Sequence, residues 1–112
     1  MTGTSYGTPI DTAFVSGYFA ALVNRIFKIL PIRERGETTL GTYLDSLIIE
    51  LLGCERLLTE LNGDEGLLSL VSTFRYLRDN EDLPVSVVKR EVFRAISVCK
   101  KIGERFEGGE AP

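Results

Sequence analysis

The side chains that most often carry catalysis or bind metal ions are few in this 112-residue chain. It contains no histidine, and its two cysteines are Cys54 and Cys99. The absence of histidine excludes Ser-His-Asp and Cys-His catalysis, and it excludes the zinc sites that combine histidine with cysteine or glutamate. The glycines follow neither a dinucleotide-binding nor a Walker spacing. We therefore predict a non-enzymatic protein, with no catalytic residue, no metal ligand and no cofactor.

Four carboxylates on one predicted helix are the remaining candidates for acid–base or metal chemistry: Asp45, Glu50, Glu55 and Glu60. Bundle metal sites place acids at i and i+3 or i+4 on facing helices. A spacing of five turns each carboxylate by about 140° from the previous one, so the four do not converge. We interpret them as a solvated helix face, with Glu50 at the rim of the apolar surface. An enzyme that uses Asp45 and Glu50 with a divalent ion is the third-ranked hypothesis.

Cations are concentrated near the end of the chain. Residues 84–112 carry six basic and four acidic side chains, whereas residues 37–63 carry one and five. One narrow sector of the last predicted helix holds four cations: Arg90, Arg94, Lys101 and Arg105. These four, the basic stripe, could contact phosphates or an acidic partner. Because the net charge is −3, we favour pairing of these cations with the acidic second predicted helix or with Glu91 and Glu104. A DNA- or RNA-linked regulator is the alternative function.

Helical periodicity predicts the elements that position these side chains. Four helices are bounded by capping or helix-breaking residues: from about Pro9 or Asp11 to Leu30, from Thr38 or Thr39 to Asn62 and Gly63, from Asp64 to about Arg78, and from Pro84 or Ser86 to about Phe106. Pro31 is expected to end the first of them.

Two of the predicted helices carry apolar residues in alternating steps of three and four. The seam of the second helix is Leu40, Leu44, Leu47, Leu51, Cys54, Leu58 and Leu61, and that of the fourth is Val85, Val88, Val92, Ala95, Cys99, Ile102 and Phe106. Such seams are typical of near-parallel helix packing. With short connections between the helices, they predict an all-α fold: an antiparallel four-helix bundle. The bundle is one domain over residues 1–112, with flexible termini at 1–8 and 107–112.

The first predicted helix is apolar around well over half of its circumference, which is more than one packed face requires. We therefore expect it either at the centre of the bundle or in an oligomer contact. The candidate interface residues are Phe14, Tyr18, Phe19, Leu22, Ile26 and Ile29. Its longest uncharged run, Thr12 to Asn24, is 13 residues long and too short to cross a bilayer.

Three stretches resemble small helical proteins encoded by prophages and mobile elements: residues 27–31, 43–53 and 87–93. The resemblance implies an accessory role in such an element and no particular activity. Cysteines on apolar helix faces fit a reducing compartment, and the N-terminus lacks the pattern of a signal peptide. We expect a cytoplasmic protein that acts through protein–protein contact, as a homodimer or an adaptor, with neither nucleic acid nor a membrane as its main partner.

Overall fold

The computed structural model describes residues 12–36, 39–58 and 61–109. Over these ranges the chain forms helices and no strand, which confirms the all-α prediction. The helices are α1 (Thr12–Phe27), α2 (Ile29–Glu34), α3 (Leu40–Leu57), α4 (Glu65–Asp79) and α5 (Val85–Gly109). α5 continues to Gly109, past the helix end expected near Phe106. Residues 1–8 and 110–112 lie outside the described residues.

The first predicted helix continues past its expected end, as α1 and α2. Lys28 separates the two but keeps helical dihedral angles, with φ −66° and ψ −15°. Its carbonyl accepts a hydrogen bond from the N–H of Ile32 at 3.3 Å. Pro31 has no N–H to donate to the carbonyl of Phe27, so one hydrogen bond of the helix is missing. The missing bond interrupts the helix at Lys28 but does not end it. The prediction that Pro31 stops the helix is therefore wrong, since helical structure lasts to Glu34.

The second predicted helix is shorter than the sequence pattern indicates. α3 ends at Leu57, and Leu58 is extended, with φ −106° and ψ 111°. The chain then turns through Gly63, whose φ of 71° lies in the left-handed region that favours glycine. This turn reverses the chain between α3 and α4, so the predicted helix end at Gly63 is too late. Asp64 caps α4 as predicted, because its Oδ2 accepts from the N–H of Leu67 at 2.9 Å.

Consecutive long helices are antiparallel and form a four-helix bundle in which α1 and α2 together supply one helix. Arg78 Nη1 lies 2.8 Å from Asp45 Oδ1, which joins the end of α4 to the start of α3. Arg105 Nη2 lies 2.7 Å from Asp64 Oδ1, which joins the end of α5 to the start of α4. α1 packs against α5, whereas α1 and α3 make few backbone approaches.

The two predicted seams fill much of the core. Their buried members are Leu44, Leu47, Leu51 and Leu61 from the second predicted helix, and Val88, Val92, Ala95, Cys99, Ile102 and Phe106 from the fourth. Leu40, Cys54 and Leu58 are partly buried against this core. Val85 is 39% exposed, because it is the first residue of α5. The seam positions therefore face inward except at a helix end.

Candidate functional site

The six residues predicted as an interface divide between the core and the surface. Four of them are at most 1% exposed: Phe19, Leu22, Ile26 and Ile29. Tyr18 is half-buried, and Phe14 is 66% exposed. Much of the apolar surplus of the first helix is thus buried within the single chain. Of the six side chains, Phe14 is the one that presents most of its surface to solvent.

The exposed side of α1 has an unusual composition. Phe14 and Phe27 lie toward its two ends, and the residues between them on this side are Gly17, Ala20, Ala21 and Asn24. We call these six residues the outer face. The single charged side chain between Thr12 and Phe27 is Arg25, and it is bonded to Glu50. Solvent-facing sides of helices normally carry charged and polar residues, so an outer face without charge is the most distinctive surface of this helix.

The two phenylalanines of the outer face are placed symmetrically. At 100° per residue, Phe14 and Phe27 lie about 70° to either side of a line through Gly17 and Asn24. Phe27 is 41% exposed and contacts Phe93 of α5 edge to face, with ring centroids 5.9 Å apart at 79°. Phe93 is itself 48% exposed. An aromatic pair drawn from two helices therefore extends one end of the outer face.

Polar side chains join α1 to α3. Arg25 Nη1 and Nη2 donate to the two carboxylate oxygens of Glu50 at 2.7 and 2.9 Å. The Tyr18 hydroxyl donates to Glu50 Oε1 at 3.0 Å, and the Tyr43 hydroxyl donates to the carbonyl of Arg25 at 2.7 Å. We call these four residues the α1–α3 clamp. Because the groups satisfy one another, the clamp holds two helices together and offers no group prepared for catalysis.

The electrostatics of the clamp follow from the same contacts. Hydrogen bonds from the Arg25 guanidinium hold the pKa of Glu50 below its ordinary value. Burial raises the pKa of the Tyr18 phenol, with a further contribution from nearby Cys54. Burial also raises the pKa of the Tyr43 phenol. Glu50 is therefore ionised and both tyrosines are neutral near pH 7, which is the protonation state that the hydrogen bonds require.

The other predicted carboxylates are also engaged in structure. Asp45 is paired with Arg78, and Glu55 Oε2 accepts from the N–H of Gly63 at 2.8 Å. Glu60 lies outside the described residues. In the part of the chain that the structure describes, no group of three or more aspartate, glutamate or cysteine side chains is placed to hold a metal ion. Among the described carboxylates, Asp45, Glu50 and Glu55 each contact a different partner: Arg78, Arg25 and the N–H of Gly63.

Two arginines of the basic stripe share one buried carboxylate. Arg90 Nη2 lies 3.3 Å from Glu91 Oε2, and Arg94 Nη1 lies 3.4 Å from Glu91 Oε1. The side chain of Glu91 is 8% exposed, whereas those of the arginines are 68% and 61% exposed. Burying a charge is costly unless it is paired. These arginines therefore neutralise Glu91 at the edge of the core.

The other two cations of the stripe lie closer to the end of α5. Arg105 pairs with Asp64, the residue that also caps α4. Lys101 is exposed. Three of the four cations in the stripe thus form ion pairs within the chain. Pairing with Glu91 is as the sequence indicates, while the partner of Arg105 is on the turn before α4 and not on the acidic second helix.

Both cysteines pack as apolar groups. Cys99 is buried, and its thiol donates to the carbonyl of Phe19 at 3.2 Å. Burial raises the pKa of Cys99 to about 12. Cys54 is half-buried, and burial raises the pKa of its thiol as well. Neither forms a disulfide, and neither thiol is in the thiolate form that nucleophilic or metal-binding cysteines require.

By length and composition, one stretch of the described chain is apolar enough to cross a membrane. It spans Ala13–Glu34, and its most apolar window of 18 residues has a mean hydropathy of 1.4. The buried share of that window is 33%. Core helices of soluble proteins meet the same criterion, and this stretch supplies Phe19, Leu22 and Ile26 to the core. α1 is therefore a core helix, as its composition predicts, and it also has an exposed apolar side.

Comparison with protein-family models, with curated proteins and with solved structures finds no match to this chain. Its surface chemistry is accordingly the guide to function. Sequence periodicity missed Phe27 and Phe93 as a pair, because it cannot bring together exposed residues from distant helices. The sequence does show that the first helix lacks charged residues. This identifies an apolar helix, but it does not show which side of the helix faces solvent.

Proposed function

We propose that this protein is a non-enzymatic, cytoplasmic interaction protein that forms a homodimer through the outer face of α1. The observation that carries the proposal is the exposed, uncharged side of this helix with a phenylalanine toward each end. Contiguous exposed apolar surface on a soluble protein commonly marks a binding surface. The resemblance to prophage and mobile-element proteins suggests the setting in which such a dimer acts as an accessory component.

A second copy of the chain fits the outer face because the face is self-complementary. In a two-fold dimer the same surface meets itself, so that residue i contacts j and j contacts i. A two-fold axis that passes between Ala20 and Ala21 pairs positions whose numbers add up to 41. Gly17 then meets Asn24 of the second copy, and Phe14 lies level with Phe27 of the second copy, at the opposite edge of the contact. The two helices run antiparallel, and small residues at the centre allow their backbones to approach.

The area of this surface is consistent with a modest dimer. A phenylalanine side chain presents about 200 Å², so the exposed fractions of Phe14, Phe27 and Phe93 together amount to roughly 300 Å² per chain. Two copies cover about 600 Å² of phenylalanine surface. The glycine and alanine positions between the rings bring the contact toward the ~1,000 Å² of specific interfaces. We expect dissociation in the micromolar range.

Other partners have less support from the described surface. Nucleic acid would have to compete with the ion pairs of Arg90, Arg94 and Arg105 in a chain of net charge −3. A helix that lies on a membrane is normally rich in lysine and arginine, whereas the outer face has neither and is bordered by a single exposed lysine, Lys28. An adaptor for a different protein would use the same face. It would differ from the homodimer in leaving the isolated chain monomeric.

Matched substitutions of two equally exposed aromatic residues test the proposal. Phe27 and Tyr76 are both 41% exposed, but Tyr76 is on α4, away from the outer face. We expect the wild type to change from dimer to monomer by light scattering as it is diluted from about 200 to 2 µM, around the micromolar dissociation expected for this area. Phe27→Glu should be monomeric throughout, and Tyr76→Glu should behave as the wild type.

Each contrary result has a defined meaning. A wild type that is monomeric at every concentration contradicts the homodimer. A dimer that Phe27→Glu leaves intact contradicts the outer face as the interface. Sedimentation with anionic vesicles that is lost in Phe27→Glu, in a chain that stays monomeric, would assign the face to lipid instead. Circular dichroism on each variant confirms that the helical fold is unchanged.

A further inference from the structure

A cavity of about 430 Å³ opens at the end of the bundle where α2, α3, α4 and α5 meet. We call it the end cavity. Its apolar walls include Leu40, Leu44, Leu77 and Val88, and its rim includes Arg33, Arg78 and Glu81. An apolar interior with a few polar groups at the opening is typical of small-molecule sites, whose volumes are about 300–1,000 Å³. At ~30 Å³ per non-hydrogen atom, the end cavity holds about a dozen such atoms.

The glycine at position 41 keeps the cavity open. Gly41 belongs to α3 and lines the cavity, and a Cβ added there would meet no heavy atom within 4 Å. Its φ is not positive, so the backbone does not require glycine at this position. A larger side chain at Gly41 would extend into unoccupied space. This gives a means of filling the cavity without straining the helix.

The charges at the rim favour a ligand with one negative group. Arg78 is neutralised by Asp45 and Asp79, at 2.8 and 2.9 Å. Arg33 instead donates to a neutral acceptor, the carbonyl of Leu83. Among the described residues, no carboxylate forms an ion pair with Arg33, so its positive charge is available at the opening.

The carboxylate of Glu81, also at the rim, disfavours a second negative group on the ligand. We infer that the end cavity binds a medium-chain monocarboxylate, with the hydrocarbon chain between the apolar walls and the carboxylate at Arg33. A chain of about eight to ten carbons matches the dozen non-hydrogen atoms that the volume accommodates. This site is separate from the outer face, and the inference does not depend on dimer formation.

Octanoate and octan-1-ol are suitable probes because they differ in charge and share the same chain. We would titrate each into ¹⁵N-labelled protein and follow the amide signals of residues 33–44 and 77–88 by NMR. We expect octanoate to bind at least tenfold more tightly than octan-1-ol. Arg33→Gln should remove that difference by weakening octanoate alone. Phe27→Glu, the variant expected to be monomeric, should bind octanoate as the wild type does.

Filling the cavity provides the second arm of the experiment. Gly41→Leu should weaken both probes at least tenfold, because leucine takes the place of the ligand chain. The matched control is Gly53→Leu, since Gly53 belongs to the same helix, a Cβ there also meets nothing within 4 Å, and it does not line the cavity. This control should bind as the wild type does. Leucine is the better helix former, so both variants should fold.

Two results would overturn the inference. If Gly41→Leu binds octanoate as tightly as the wild type does, or if neither probe binds, the end cavity is not a ligand site. If octanoate and octan-1-ol bind equally and Arg33→Gln changes neither, the site takes a neutral apolar molecule and the assignment to a carboxylate is wrong.

Discussion

α1 is held to its two neighbours by contacts of opposite kinds. Toward α5 the contact is close and mainly apolar: Gly103 lies so near that an added Cβ would be 3.5 Å from Phe19 Cβ, and the Cys99 thiol bonds to the Phe19 carbonyl. Toward α3 the backbones stay apart, and the α1–α3 clamp spans the distance, with Arg25 and Glu50 as its ion pair.

The two contacts of α1 have different roles: one stabilises the helix, and the other determines its orientation. Burial of apolar surface against α5 supplies most of the free energy that holds α1 in place. The clamp contributes little free energy because its charges are partly exposed. However, its geometry is directional, so it determines which side of an almost wholly apolar helix faces the core. By this account the clamp is what turns the outer face toward solvent.

The largest expected effect is on the side of α1 that packs against α5. Phe19→Ala removes a side chain that is 1% exposed and should lower the free energy of unfolding by about 3–5 kcal/mol. Phe14→Ala removes the same group where it is 66% exposed and should change that free energy by about 0.5 kcal/mol or less. Urea unfolding at a concentration where the chain is monomeric measures both. Equal losses would contradict the assignment of Phe19 to the core.

The close approach of α1 and α5 is tested at Gly103. Gly103→Ala places its Cβ at an ordinary contact distance and should be neutral or slightly stabilising, since alanine favours helix. Gly103→Leu forces additional atoms between the helices and should cost about 1–3 kcal/mol. Thermal melts of the two variants make the comparison. If leucine is tolerated as well as alanine, the contact is looser than described.

Cys99 makes the contact between α1 and α5 sensitive to alkaline pH. Its pKa is raised from 9.0 to about 12 by burial, so the folded state resists an ionisation that the unfolded state allows. This contribution to stability is intact below pH 9 and is lost as the pH rises from 9 toward 12. At pH 10 the loss is about 1.4 kcal/mol. Cys99→Ala should lose less stability than the wild type between pH 8 and pH 10 in urea unfolding, and an identical loss would exclude the thiol as its source.

The smallest expected effect is on the polar side. The side chains of Arg25 and Glu50 are 33% and 43% exposed, so Glu50→Gln should cost only about 0.5–1 kcal/mol at pH 7. Because the pKa of Glu50 is lowered below 4.5 in the folded state, its contribution is present above that pH and lost as the pH falls through the folded pKa. The difference between wild type and Glu50→Gln should therefore disappear as the pH falls through the folded pKa of Glu50. A cost above 3 kcal/mol would mean that the clamp, and not burial, holds α1.

The fold was largely predictable, because each buried seam repeats in steps of three and four. Val88 through Phe106 follow this pattern on α5 and are buried as expected. The helix ends were less predictable. Continuation past Pro31 depends on hydrogen bonds around one missing donor, and the early end of α3 depends on the turn that Gly63 completes.

The orientation of α1 could not be predicted from its own residues. A helix that is apolar on most sides gives no periodic signal for its buried side, and the clamp that decides the matter joins residues 25 positions apart. For the same reason the sequence left Leu22 and Ile26 either at the centre of the bundle or in an interface, and the structure buries both in the core. The exposed pair of Phe27 and Phe93 and the end cavity depend on packing between distant segments.

The most direct test of the central claim, an antiparallel dimer across the outer face, uses two variants that each add one cysteine in a Cys54→Ala background, with the buried Cys99 retained. Gly17→Cys and Asn24→Cys are opposite one another in such a dimer, at the distance that a disulfide requires. Identical cysteines are instead about 10 Å apart along the helix axis. Under mild oxidation, we predict a disulfide-linked dimer when the two variants are mixed and little from either alone. Absence of the mixed product, or equal cross-linking of each variant with itself, would contradict the account.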